Sequence, residues 1–150
     1  MSESGLALPL IAYLAHVKEL RIASGAYNDL VGIEDLSELV RLECPHNCLS
    51  SITRITGLTG IRYLDVQDNK LESLDGLGQM SNLEYLNANG NELTSLTPLK
   101  TLRNVKHLDV GSNRIQSLKG IENLFTLEYF NFEKNRVAAP GELAVLMNFP

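Results

Sequence analysis

The chain has no tryptophan, few aromatic residues of any kind (6%), and only two cysteines, Cys44 and Cys48. Two cysteines cannot build the disulfide framework on which small secreted domains depend, so a reducing interior is the expected setting. Positive charge is also in deficit. Thirteen Lys and Arg stand against 18 Asp and Glu, a net charge of −5. Nucleic-acid binders need a basic stripe, so direct contact with nucleic acid is not expected. No apolar run approaches the roughly 20 residues that cross a bilayer, and no membrane association is expected. The segment MSESGLALPLIAYLA has an apolar middle, but no Lys or Arg precedes Lys18, so it lacks the positive start of a secretory signal. The expected location is cytoplasmic, with nuclear and cytoskeletal settings as alternatives and secretion not expected. Linkers and low-complexity stretches are missing too. At 150 residues and 44% hydrophobic content, one domain with a sizeable core is expected.

Groups for catalysis are equally sparse. The three histidines, His16, His46 and His107, sit in no nucleophile arrangement with a serine or cysteine, and no glycine-rich phosphate loop occurs. No enzymatic activity and no cofactor are expected. The run Cys44-Pro45-His46-Asn47-Cys48 has metal-ligand residue types. The repeat described next points Cys44 inward and puts Cys48 on an outward slot, whereas a tetrahedral site needs four converging ligands, so no metal is expected.

What the chain does have is a period. Asparagine recurs at Asn47, Asn69, Asn91, Asn113 and Asn135, every 22 residues, and Gly25 holds the same slot one period earlier. Five positions before it stand Leu20, Leu42, Leu64, Leu86, Leu108 and Phe130. Three before stand Ile22, Cys44, Val66, Ala88, Val110 and Phe132. Two after stand Tyr27, Leu49, Leu71, Leu93, Ile115 and Val137. Further apolar columns follow five after, ending at Pro140, and eight after, ending at Leu143.

Six copies in register match L-x-x-L-x-L-x-x-N-x-L, and from Leu14 to Leu143 the chain resembles the leucine-rich repeats. It is similar to the 22-residue class shared by the protein phosphatase-1 regulatory subunit, the spliceosomal A-prime protein, the leucine-rich dynein light chain and, more distantly, the internalins. The resemblance implies an α/β solenoid: a right-handed coil with a parallel concave β-sheet, short 3₁₀ or irregular convex turns, and helical caps at both ends. It also implies a non-enzymatic module that binds another protein.

The physical reasons for the columns stand on their own. Alternation around Tyr63-Leu64-Asp65-Val66 makes a short strand with Leu64 and Val66 inward. The turn after each strand lies inside the coil, where backbone groups need partners. A carboxamide carries one acceptor and two donors, so the asparagines are expected to form a structural ladder serving the turn and the neighbouring repeat. Ser51, Ser73, Ser95 and Ser117, with Asp29 in the same slot, are expected to accept local backbone bonds at the return turn. Residues 2–15 read as an N-terminal cap, with Pro9 near a helix start. Residues 16–139 read as six repeats, and residues 140–150 as a short C-terminal cap helix beginning at Pro140.

Specificity must then lie on the outward strand positions. The first such column holds Arg41, Tyr63, Tyr85, His107 and Tyr129 after Glu19. The second holds Glu43, Asp65, Asn87, Asp109 and Asn131 after Arg21. The third contains Gln67, Asn89 and Glu133, and the fourth His46, Asp68, Gly90, Ser112 and Lys134. Tyrosine pairs apolar area with a polar tip, which suits binding anchors. The columns are net acidic. The expected partner is a protein offering a basic or mixed helix or loop, with Tyr63, Tyr85, His107 and Tyr129 as anchors. Alternatives are a regulatory or scaffold role in a larger enzyme, ribonucleoprotein or axonemal assembly, or self-association through the C-terminal edge near Phe132, Leu143 and Phe149.

Overall fold

The computed structural model describes residues 14–22 and 24–149. The N-terminal cap expected over residues 2–15 falls almost wholly outside them; Leu14 to His16 form a turn that closes with the Val17 amide donating to the Leu14 carbonyl at 2.8 Å. Each repeat contributes one three-residue strand: β1 Glu19–Arg21, β2 Arg41–Glu43, β3 Tyr63–Asp65, β4 Tyr85–Asn87, β5 His107–Asp109 and β6 Tyr129–Asn131. They pair in chain order as one parallel sheet, in a register that keeps the 22-residue period, Leu42 beside Leu64 and Leu64 beside Leu86. Pairing runs beyond the strands proper, with the amides of Cys44, Val66, Ala88 and Val110 donating to the carbonyls of Asp65, Asn87, Asp109 and Asn131.

The inward columns build the core. Leu42, Leu64, Leu86 and Leu108 are fully buried, as are Cys44, Val66, Ala88 and Val110. The columns loosen in the first and last of the described repeats. Leu20, Phe130 and Phe132 are only partly buried. Tyr27 and Leu143, expected in filled inward columns, are 37% and 48% exposed, and Pro140 is exposed as well.

The asparagine ladder is present and its bonding is regular. Asn69 donates through Nδ2 to the carbonyls of Val66 (3.0 Å) and Gln67 (3.1 Å) in its own turn, and to Cys44 (3.0 Å) in the preceding repeat. Its Oδ1 accepts the Leu49 amide at 3.0 Å. Asn91 and Asn113 repeat the pattern. Asn47 is the first rung. Its Nδ2 is bonded, but its Oδ1 is buried without a partner among the described residues, beside the backbone of Gly25.

The convex returns are short. Three-residue 3₁₀ segments occur at Ile33–Asp35, Thr53–Ile55, Leu77–Gln79 and Thr97–Leu99. They alternate in kind. The first and third are entered from glycines in the left-handed region, Gly32 and Gly76; the second and fourth open at Thr53 and Thr97, whose amides donate to Ser51 Oγ and Ser95 Oγ. Ser73 and Ser117 accept the amides of Asp75 and Lys119, and Asp29 accepts that of Leu30, so this column is turn chemistry. A second ladder was not expected. Asn82, Asn104 and Thr126 each donate to a carbonyl of the preceding repeat, those of Thr59, Ser81 and Arg103.

The C-terminal segment Pro140–Asn148 is wound as a 3₁₀ helix. Its Glu142 carboxylate accepts from Ser117 Oγ (2.8 Å) and the Leu118 amide (2.7 Å), bonds that hold its pKa below the usual range. Val145, Leu146 and Phe149 pack on the core, while Met147 stands in solvent.

Candidate functional site on the open sheet face

Parallel register places copies of one repeat position about 4.8 Å apart on neighbouring strands. In the first outward column that spacing suits flat rings. Tyr63 and Tyr85 stack with centroids 4.0 Å apart and planes 6° from parallel. Tyr85 on His107, and His107 on Tyr129, continue at 4.2 Å each. The guanidinium of Arg41 lies 3.5 Å above Tyr63 and closes that end of the stack. Glu43 fixes the guanidinium, with Arg41 Nε donating to Oε1 at 2.7 Å, and Arg21 approaches the other oxygen at 3.5 Å. The four expected anchors are thus one continuous column whose ring faces are used on each other. Edges and polar tips are what a partner meets, except at Tyr129, which is 46% exposed and stacks on one face only among the described residues.

Burial within the stack moves its titrating groups. The Tyr85 phenol is pushed above its usual range by burial and by its hydrogen bond with Tyr63. His107 is pushed down by burial, against the pull of Asp109, which favours the neutral imidazole.

The second column does local structural work. Asp65 Oδ1 accepts the Gln67 amide (3.1 Å), Asn87 that of Asn89 (3.1 Å), Asp109 that of Gly111 (3.0 Å) and Asn131 that of Glu133 (3.0 Å). These are Asx turns that bend the chain out of each strand. The remaining groups link repeats. Asn87 Nδ2 donates to Gln67 Oε1 at 3.0 Å, and Asp109 Oδ1 accepts from Asn89 Nδ2 (2.9 Å) and Asn131 Nδ2 (3.1 Å). In the third column Gly111 is buried under that cluster, where a Cβ would fall 2.7 Å from Asn89 Nδ2.

The fourth column is a correction. Its members were expected as strand residues. They are turn residues in the left-handed region, with φ of 53° at His46, 52° at Asp68, 67° at Gly90, 53° at Ser112 and 54° at Lys134. The sharp reversal before each ladder asparagine demands that conformation. His46 Nδ1 lies 3.0 Å from Asp68 Oδ2.

Electrostatically the face divides. Glu43 is taken by Arg41 and Arg21, whereas Asp65 and Asp109 have no lysine or arginine in ion-pair contact among the described residues. Burial, with Glu43 adding to it, raises the Asp65 pKa. Elsewhere, a concavity of about 770 Å³ lies on the convex side between Asn28, Asp29, Glu34, Ser50, Ser51, Thr53 and Arg54. There Arg54 is already held by Asp29 (2.8 Å) and Glu34 (3.3 Å). Cys44 is fully buried, and burial pushes its thiol up to about 12, while Cys48 is partly exposed on the side. Among the described residues no cluster of three or more His, Cys, Asp or Glu could hold a metal ion.

A family model for leucine-rich repeats (two copies) matches residues 81–124. No curated protein matches the sequence. Among solved structures, an internalin of Listeria monocytogenes superposes with a TM-score of 0.89 over 95% of this chain and 41% of its own, at 23% identity, a likeness of fold alone. Internalin C2 of the same bacterium gives 0.79 over 93% of this chain and 62% of its own, at 28% identity. A leucine-rich-repeat protein of Leptospira interrogans gives 0.83 over 93% and 37%, at 31% identity. The chain therefore spans 37–62% of the length of these relatives.

Proposed function

Taking as premise that the chain is a leucine-rich-repeat protein, a fold commonly used for protein–protein interaction, we propose that its open sheet face binds a partner protein and that it has no catalytic role of its own. The partner offers a basic or mixed helix or loop. One observation carries this: Asp65 and Asp109 sit on the face beside the ring column, half-buried and, among the described residues, without a lysine or arginine to neutralise them. An incoming cation would relieve the unfavourable burial of Asp65. The rings present a flat, rigid margin of polar tips, which costs little side-chain entropy to hold in place. In this reading the module serves as a scaffold or regulatory subunit, in a cytoplasmic setting.

The test uses Asp65→Asn with Asp109→Asn. Asparagine already fills this column at Asn87 and Asn131 and makes the same turn bond there, so the double variant keeps the fold. A partner recovered on the immobilised protein should bind the double variant at least tenfold more weakly, with unchanged melting temperature or a slight rise. Equal affinity with the fold intact refutes the proposed face.

A further inference from the structure

The core repeats every 22 residues, but three sets of surface groups repeat every 44. On the sheet face Asp65 and Asp109 alternate with Asn87 and Asn131. On the flank just before the strands, Arg62 and Lys106 alternate with Glu84 and Glu128. Glu84 is bonded to both its neighbours, Arg62 at 2.6 Å and Lys106 at 3.1 Å. The left-handed glycines of the convex turns keep the same step, Gly32, Gly76 and Gly120. A segment lying along the sheet therefore meets like groups at every second strand. Of these, the pair open to a cation is Asp65 and Asp109, since neither has a lysine or arginine in ion-pair contact among the described residues. Toward β2 the face turns basic, with Arg21 and Arg41 gathered on Glu43. A third cation one step before Asp65 would lie near Arg21, so the site takes two.

The spacing of that pair selects a backbone. Two strand steps amount to about 9.6 Å at the usual parallel spacing. The rings beside them draw in to 4.0 and 4.2 Å per step, so the two carboxylates lie between about 8 and 9.6 Å apart. A polyproline II segment has three residues per turn and rises about 3.1 Å per residue, which puts every third side chain on one face at about 9.3 Å. An extended strand returns to the same face at about 6.7 and 13 Å and misses on both sides. An α-helix returns after seven residues at about 10.5 Å and overshoots. The ring column adds a second criterion. Tyr63 and Tyr85 stand beside the two aspartates with their faces stacked and their hydroxyl tips toward a ligand. A helix has its carbonyls tied up internally, whereas polyproline II makes no internal hydrogen bonds and leaves its carbonyls free to accept from phenols.

We propose that the partner segment is a polyproline II stretch of a protein, lying along the solenoid axis with two arginines or lysines three residues apart, one on Asp65 and one on Asp109. This rests on the sheet-face reading above and narrows it from a basic helix or loop to one backbone conformation and one charge spacing. Tyr63 and Tyr85 donate from their tips to carbonyls of the segment. Proline between the cations holds the conformation before binding, so little entropy is lost on docking. The stacked rings are equally fixed, and two preformed surfaces meet.

The experiment titrates the 150-residue protein into fluorescently labelled peptides at low ionic strength and follows anisotropy. The probe is Pro-Pro-Arg-Pro-Pro-Arg-Pro-Pro. Two proline-rich controls of equal length and charge set the arginines two and four apart, and an alanine-based helical control sets them seven apart. The probe should bind about fivefold more tightly than any control. Asp65→Asn with Asp109→Asn should abolish that preference, and Tyr85→Phe, which keeps the ring stack, should weaken the probe about threefold. Equal binding of all four peptides shows attraction by charge alone and overturns the proposal. So does a preference for the probe that survives the double variant. Tighter binding of the helical peptide, lost in the double variant, overturns the polyproline II segment and leaves the sheet-face reading standing. No binding of the probe where the helical peptide binds has the same meaning, and no binding of any peptide overturns the proposal outright.

Discussion

Replacing Asn91 with alanine is the sharpest test of the ladder. The Asn91 carboxamide accepts the Leu71 amide at 3.0 Å and donates to the carbonyls of Val66 (3.0 Å), Ala88 (3.1 Å) and Asn89 (3.2 Å). Alanine leaves the Leu71 amide with no partner in a buried turn. The three carbonyls share one amino group, and their loss together counts as about one further buried group. At about 1–3 kcal/mol for each unsatisfied group, the cost is about 4 kcal/mol. That is a large part of the stability of an ordinary domain. Two other rungs act as internal controls. Asn47 makes the donor bonds, but its Oδ1 accepts nothing, so Asn47→Ala should cost about 2 kcal/mol. Asn135 makes all its bonds at a partly exposed position where water can replace them, and Asn135→Ala should cost about 1 kcal/mol. Urea unfolding followed by circular dichroism gives the three values, with the slope of each transition checked for equality. The reasoning fails if Asn91→Ala proves no more costly than Asn135→Ala.

Three other outcomes follow from the face. Ser112 pays the left-handed penalty at φ 53° that Gly90 avoids in the same slot, so Ser112→Gly should stabilise by about 0.5 kcal/mol in urea melts. The Asp65 pKa is raised by burial, so its carboxylate opposes folding at neutral pH. Asp65→Asn should raise the melting temperature at pH 7, and the gap to wild type should close as pH falls through the raised pKa of the folded state. His107 is lowered by burial, so its contribution is whole above the unfolded value of 6.5 and is lost as pH falls below it. His107→Tyr keeps a ring in the stack, and stability measured from pH 7.5 to 5.5 should decline less in the variant than in wild type.

The inward half of the structure was legible because burial imposes one residue class on each column. Leu64, Val66 and Leu71 can be placed from spacing alone, and the chemistry of a carboxamide makes Asn69 a ladder member. The outward half was harder to read, because period fixes position and not contact. That Tyr63, Tyr85, His107 and Tyr129 share a column was visible; that their faces are spent on each other depends on rotamers. The last four members of the second column, Asp65, Asn87, Asp109 and Asn131, are all residues that form Asx turns, a signal that could have been read as structural. Gly90, in line with Asp68 and Ser112, was the clue that this slot is left-handed. The ends departed most. Tyr27 and Leu143 keep the period without the burial, being 37% and 48% exposed.

The ring column also has a mechanical side. Its centroids lie 4.0–4.2 Å apart, less than the roughly 4.8 Å between parallel strands, as side chains on the inside of an arc must. Flattening the sheet would pull these rings apart, and tightening it would drive them into overlap. The stack therefore behaves as a spring set at one curvature, running from Arg41 to Tyr129. A ligand laid along it meets a template of fixed radius and has to do the bending itself.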